Sequence, residues 1–152
     1  MNVIRKIEHW GDVHHAKWLD YLRIVLGLII FGKGVSFISD TSVLQNLITQ
    51  NNVFGFSGMM ISVGIHVVAF AHLVGGILIT LGLVTRFAAV IQIPILLFAV
   101  FFVNLTPGFS APNSELWLSV LVLFLLIMFW VVGSGPLSVD EGLKHKTGKR
   151  YT

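Results

Sequence analysis

The chain of 152 residues carries a formal charge of +3, is 55% hydrophobic and only 11% charged, and has a mean hydropathy of +0.87. A soluble domain carries nearer ~25% charged residues, so this composition excludes a disordered chain and a water-soluble enzyme, and its sparse positive charge excludes a nucleic-acid-binding face. The absence of cysteine removes disulfides, Cys-ligated zinc and iron–sulfur clusters.

Residues 1–18 form a polar N-terminal segment without the continuous apolar run of a cleavable signal. Ile4, Ile7 and Trp10, with Trp18 and Tyr21 just beyond, point to a segment lying at headgroup level on aromatic anchors. A helix rising ~1.5 Å per residue needs about 20 mostly apolar residues to cross a bilayer. Four stretches qualify: about 19–39, 59–85, 87–104 and 116–132. Residues 40–57 are rich in Asn, Gln, Ser and Thr and are an exposed connection with a short interfacial helix near 43–48. Asn113 or Ser114 is placed to cap the fourth span, and Gly133–Ser134–Gly135–Pro136 ends it. Ser138–Val139–Asp140–Glu141 reads as a capping box opening a short helix outside the bilayer. The expected organisation is therefore an N-terminal segment (1–18), a four-helix transmembrane bundle (19–133) and a C-terminal tail (134–152), all α.

Nine of the ten basic residues fall on one side under an even number of crossings: Arg5, Lys6, Lys17, Arg23, Arg86, Lys144, Lys146, Lys149 and Arg150. The positive-inside rule places both termini in the cytoplasm. A multi-pass protein of the bacterial cytoplasmic (inner) membrane, surrounded by lipid, is the expectation.

Polar side chains in such a bundle should face inward or toward a partner subunit. In the second span, Gly58, Ser62, His66, Ala69, His72, Leu73, Gly76 and Thr80 share a sector of about 120°, while Phe70, Ile77 and Leu81 are left for lipid. Small residues on such a stripe let helices approach closely. In the first span Gly27 and Gly34 have the same packing role, and Arg23, near the edge, can snorkel. Lys33 must snorkel or pair, and Glu115, at the outer start of the fourth span, is its candidate partner in an outer-side ion pair. Pro94 should bend the third span, and Gln92 either satisfies the freed backbone or faces a ligand.

His66 and His72 raise the question of haem or metal. They are six residues apart, about 120° around the helix and ~9 Å along it, so they cannot chelate one ion. No other span carries a histidine, so bis-His haem fails within one chain and survives only as a ligand bridging two protomers. No metal site and no covalently bound cofactor are expected. The bland alternative for either imidazole is an interhelical hydrogen bond.

The run from His72 through Gly75–Gly76, Gly82 and Thr85–Arg86 to Ala89 resembles the DoxX family of membrane proteins. Its pattern is a polar or acidic residue, a Gly pair, an apolar stretch, Gly, then Thr–Arg before the third span. Arg23–Ile–Val–Leu–Gly27 and the segment from Gly133 to Asp140 extend the likeness over about residues 20–142. Gln92–Ile–Pro94 and Asn113–Ser–Glu–Leu–Trp117 resemble a Bacteroidetes-like subtype. Two departures stand out: many relatives have Glu in place of His72, and Lys where Phe37 stands here. A chemistry built on that acid and lysine has no direct counterpart in this chain.

The family takes its name from a subunit of a thiosulfate:quinone oxidoreductase, so the resemblance implies a link to quinone electron transfer with a membrane redox partner. In that reading His72 and Arg86 are the candidate catalytic residues, and His66, His72, Gly76 and Gln92 line a quinone pocket. Histidine suits the role because its protonation changes near physiological pH. The wider superfamily also includes membrane chaperones and cargo-binding proteins, so a non-catalytic accessory, assembly or chaperone-like subunit of a membrane complex is the alternative. A small-solute or lipid transporter is a third reading and would require a homo-oligomer, four spans being few for alternating access.

Overall fold

The computed structural model describes residues 17–50, 55–104 and 114–146. The interfacial segment expected ahead of residue 17, the cap expected at Asn113 or the Ser114 side chain, and the last basic residues of the tail lie outside them. The elements in chain order are α1 (Lys17–Ser39), α2 (Thr41–Gln50), α3 (Gly58–Leu81), α4 (Thr85–Phe98, continued by a π-helical segment Ala99–Asn104), α5 (Ser114–Val132) and α6 (Val139–Lys146), with no strand among the described residues.

Trp18–Ser39, Gly58–Leu81 and Glu115–Val132 are each long and apolar enough to cross a bilayer. The apolar part of α4, Thr85–Phe101, is shorter, and the π segment carries the helix on to Asn104. The protein is an all-α, multi-pass membrane bundle. The expected interfacial helix is α2, and the short helix expected outside the bilayer after the fourth span is α6. Ser138 Oγ accepts the Glu141 N–H at 3.2 Å, as the capping motif requires.

Helix boundaries follow local chemistry. Ser57 caps α3 by accepting the Met60 N–H. α3 ends at Leu81, where Gly82 takes a left-handed φ of 67° and its N–H donates to the Ile79 carbonyl, while Leu83 N–H donates to Leu78. That is a glycine-terminated helix end, and it shortens the expected 59–85 span. Thr85 and Arg86 accordingly open α4 rather than belonging to a connection. α5 stops at Val132, where Gly133 and Gly135 both have positive φ.

The helices form two pairs. α1 lies antiparallel on α3, the closest association in the molecule; α4 lies on α5; α3 and α4 join the pairs, and α1 and α5 approach only sparsely. The first pair is interlocked through backbone: a Cβ on Gly76 would stand 2.6 Å from Phe31 N, one on Gly27 2.8 Å from Gly76 O, and one on Gly34 2.9 Å from Leu73 N. Leu26, Ile30, Ile79, Ala89, Leu126 and Phe129 fill the core, and Phe70, Ile77 and Leu81 face outward.

The buried face of α3 consists of Ile61, Ile65, Ala69, His72, Gly75, Gly76 and Ile79. At 100° per residue this is rotated by about 60° from the small-residue stripe. The stripe marks only the α1 seam. α4 closes on the Ala71–Gly75 side, so the true inward face lies between the two seams. His72 falls in it, and His66 and Gly58 fall outside it, exposed.

Gly76→Ala and Gly27→Ala are expected to lower stability by about 1–3 kcal/mol through overpacking against backbone. Gly32→Ala, where a Cβ meets nothing within 4 Å, should stay within about 0.5 kcal/mol. Thermal unfolding in one detergent checks all three.

Candidate functional site

His72 is buried, with 5% exposure. Its Nδ1 lies 2.9 Å from the Val68 carbonyl one turn back, and a carbonyl can only accept, so that nitrogen carries a proton. Nε2 makes no hydrogen bond among the described residues and in the neutral ring is an acceptor. The ring of Phe37 on α1 stands 5.4 Å from the imidazole, centroid to centroid.

Gln92 is completely buried on α4. Its Nε2 donates to the Ala71 carbonyl at 2.6 Å, and Gly75 gives the amide its room, since any Cβ there would collide with it. The other end of the amide, Oε1, is buried without a hydrogen-bond partner. Gln92 and Gly34 reach the same turn of α3, at Ala71 and at Ala69–Leu73, which is the turn that carries His72. One level of the bundle therefore holds two unused acceptors, His72 Nε2 and Gln92 Oε1. Gln92 Oε1 is a buried acceptor left unmade, which costs about 1–3 kcal/mol, so a donor arriving there is favoured. Thr85 Oγ1, also buried and without a partner, lies on the same face of α4 nearer its start.

None of the remaining candidates forms a side-chain hydrogen bond or ion pair with His72 or Gln92 among the described residues. His66 is exposed, its Nδ1 bonded to the Ser62 carbonyl of its own helix at 2.8 Å, because it falls beyond the α1 seam. Gly76 lines no cavity: the α1 backbone at Gly27 and Phe31 fills the space beside it. Arg86 reaches the Val131 carbonyl in the last turn of α5 at 3.4 Å and lies against Gly133. His72, by contrast, is nine residues, about 14 Å of rise, before the end of α3. Lys33 Nζ donates to Glu115 Oε2 across the opposite end of the bundle, with the two side chains 30% and 60% exposed. No group of three or more metal-ligating side chains occurs among the described residues.

A polar cluster not expected from the sequence stands at the Arg23 end. Arg23 does not snorkel; it is fully buried. Nη1 donates to the Ile79 carbonyl at 2.9 Å and Nη2 to the Leu137 carbonyl at 3.0 Å. Asp20, equally buried, lies 3.6 Å from Nη2 and accepts the Leu137 N–H at 3.2 Å. Asp140 accepts the N–H of Val84 at 2.8 Å, holding that residue at a φ of 48°. The two arginines do parallel work: Arg23 of α1 satisfies the last carbonyls of α3, and Arg86 of α4 one of the last carbonyls of α5. The signal was present in the sequence, since a helix ending at Gly82 leaves carbonyls that an arginine at the same membrane level can fill.

Arg23→Met should destabilise the protein by about 3–5 kcal/mol, because Asp20 is left as a buried charge without its partner, and trypsin should then cut readily in the tail. Lys33→Met, which breaks an exposed pair, should change stability by less than about 1 kcal/mol. Thermal unfolding and timed proteolysis in the same detergent separate the two.

A DoxX family model matches residues 18–105, from the first turn of α1 to just past the π segment, and so spans Arg23, Lys33, His72, Arg86 and Gln92. No curated protein and no solved structure matches the chain. With more than half of its length matched, and with the membrane bundle and the Gly82–Thr85–Arg86 turn in place, the chain belongs to the DoxX family.

Proposed function

We propose that this protein is the quinone-binding subunit of a membrane oxidoreductase in the bacterial inner membrane, acting with a redox partner. The observation that carries the reading is the pair of unused acceptors, His72 Nε2 and Gln92 Oε1, at one level of the bundle interior. A ring bearing two hydroxyl donors fits two acceptors better than a purely apolar lipid does. A bound quinol supplies a two-electron, two-proton carrier. The protein's share is to hold and to move protons: His72 accepts a hydroxyl hydrogen bond at Nε2 and takes that proton, while Gln92 Oε1 anchors a second hydroxyl. Val68 keeps the imidazole in the tautomer that accepts. His72 and Gln92 carry no electrons, so these pass to or from the partner. Arg86, at the end of α5, serves this site only through the packing of α4 on α5.

A second reading, a non-catalytic accessory subunit, is favoured by His66. It stands on the outward face of α3 between Met59, Val63 and Phe70, all more than half exposed, and a polar side chain on an apolar helix face is a natural hydrogen-bonding point for a neighbouring transmembrane helix. Purification in mild detergent that brings a stoichiometric protein partner, lost in His66→Leu, would support it.

The quinone reading predicts that the protein in lipid nanodiscs binds a short-chain benzoquinol or naphthoquinol. His72→Leu and Gln92→Leu should each weaken binding about tenfold, the worth of one hydrogen bond, and His66→Leu should leave it unchanged. Equilibrium titration with each quinol measures this. Full binding by His72→Leu overturns the placement.

A further inference from the structure

We propose that the bundle opens laterally at the end marked by Lys33 and Glu115, and that the slot between α1 and α5 is the passage by which a lipid-soluble ring moves between the acyl chains and His72. This rests on the quinone reading for the identity of the ligand, though not for the motion. Three observations lead to it.

The first is the division into two pairs. α1 and α3 are locked by backbone contacts at Gly27, Gly34 and Gly76, so they move together. α4 and α5 form the other pair, and α1 meets α5 only sparsely. The three-residue turn Gly82–Val84 between α3 and α4 is the natural hinge, and the α1–α5 seam lies on the opening side.

The second is the unequal fastening of that seam. At the Arg23 end it is tied by buried groups: Arg23 and Asp20 of α1 both bond the backbone of Leu137, just after α5. Asp140 bonds Val84 in the hinge itself. At the other end the Lys33–Glu115 pair crosses the seam with both side chains partly exposed. Exposed ion pairs are weak and exchange readily. One end is bolted and the other is latched.

The third is what lies behind the latch. Phe37 follows Lys33 by one helical turn, on the same face of α1, and its half-buried ring rests beside the His72 imidazole. Phe37 stands near that end of α1 and beside His72, so a ring moving from the latched end to the imidazole passes it. Because a phenyl ring turns without breaking a hydrogen bond, Phe37 makes a door.

The chain has no cysteine, so paired substitutions give unique labels. Spin labels at Val35→Cys and Leu121→Cys, both on exposed positions, report the distance across the latched end in nanodiscs. A second pair at Val25→Cys and Ile127→Cys reports the bolted end. The expected result is a broad or two-population distance at the latched end, shifted to longer values by Lys33→Met, with a single unchanged distance at the bolted end. Joining Lys33→Cys to Glu115→Cys with a short reducible crosslinker should slow quinol exchange at least tenfold, and reduction should restore it in the same sample. A narrow latched-end distance indifferent to Lys33→Met overturns the opening, and an unchanged exchange rate in the crosslinked protein overturns the passage. If the wild-type protein binds neither quinol, the quinone reading fails, and the distances alone decide the motion.

Discussion

Arg23 ties together parts of the chain more than a hundred residues apart. Its guanidinium fills the Ile79 and Leu137 carbonyls, and the rest of the bundle depends on that. A helix that ends near the bilayer leaves carbonyls that need a donor. Water serves at the surface of a soluble protein; here an arginine from the neighbouring helix does. The same solution recurs with Arg86 at the end of α5, so each helix pair carries its own arginine at the same end. The positive-inside rule and the satisfaction of helix ends therefore draw on the same residues. Arg23 and Arg86, which the positive-inside rule counts, also finish helices.

With that end secured, the other end is free to be looser. His72 and Gln92 are held by backbone carbonyls of α3 alone, at Val68 and Ala71. Their free atoms are positioned by the helix rather than by each other. Because Gln92 projects from α4 onto α3, the two free atoms keep their spacing only while α3 and α4 move together.

Much of the fold could be read from residue types. The uncharged runs gave the spans, Gly27 and Gly34 the tight seam, the polar stretch before Ser57 the outer connection, and Ser138–Glu141 the last helix. Less could be read about the site. The small-residue stripe of α3 records where α1 comes close, but carries no mark of α4. The inward direction was therefore set too near His66, and Gly76 was placed beside a pocket when it lies beneath a helix. Arg23 was misread for a related reason. Hydropathy treats a cation near a span's edge as seeking water, whereas its actual partners are carbonyls, which no side-chain pattern displays. Gln92 was read as satisfying the backbone freed by Pro94 or facing a ligand; its Nε2 donates instead to the Ala71 carbonyl of α3, and Oε1 is left over.

The grip of Arg23 and Asp20 on residue 137 falls on its backbone N–H and carbonyl, and the Leu137 side chain points outward, 58% exposed. The identity of residue 137 is thus nearly free to drift in evolution, but the number of residues between the end of α5 and Val139 is not. One residue added or lost there would carry the peptide group past its clasp. Homologues should tolerate substitution in this stretch far better than insertion or deletion.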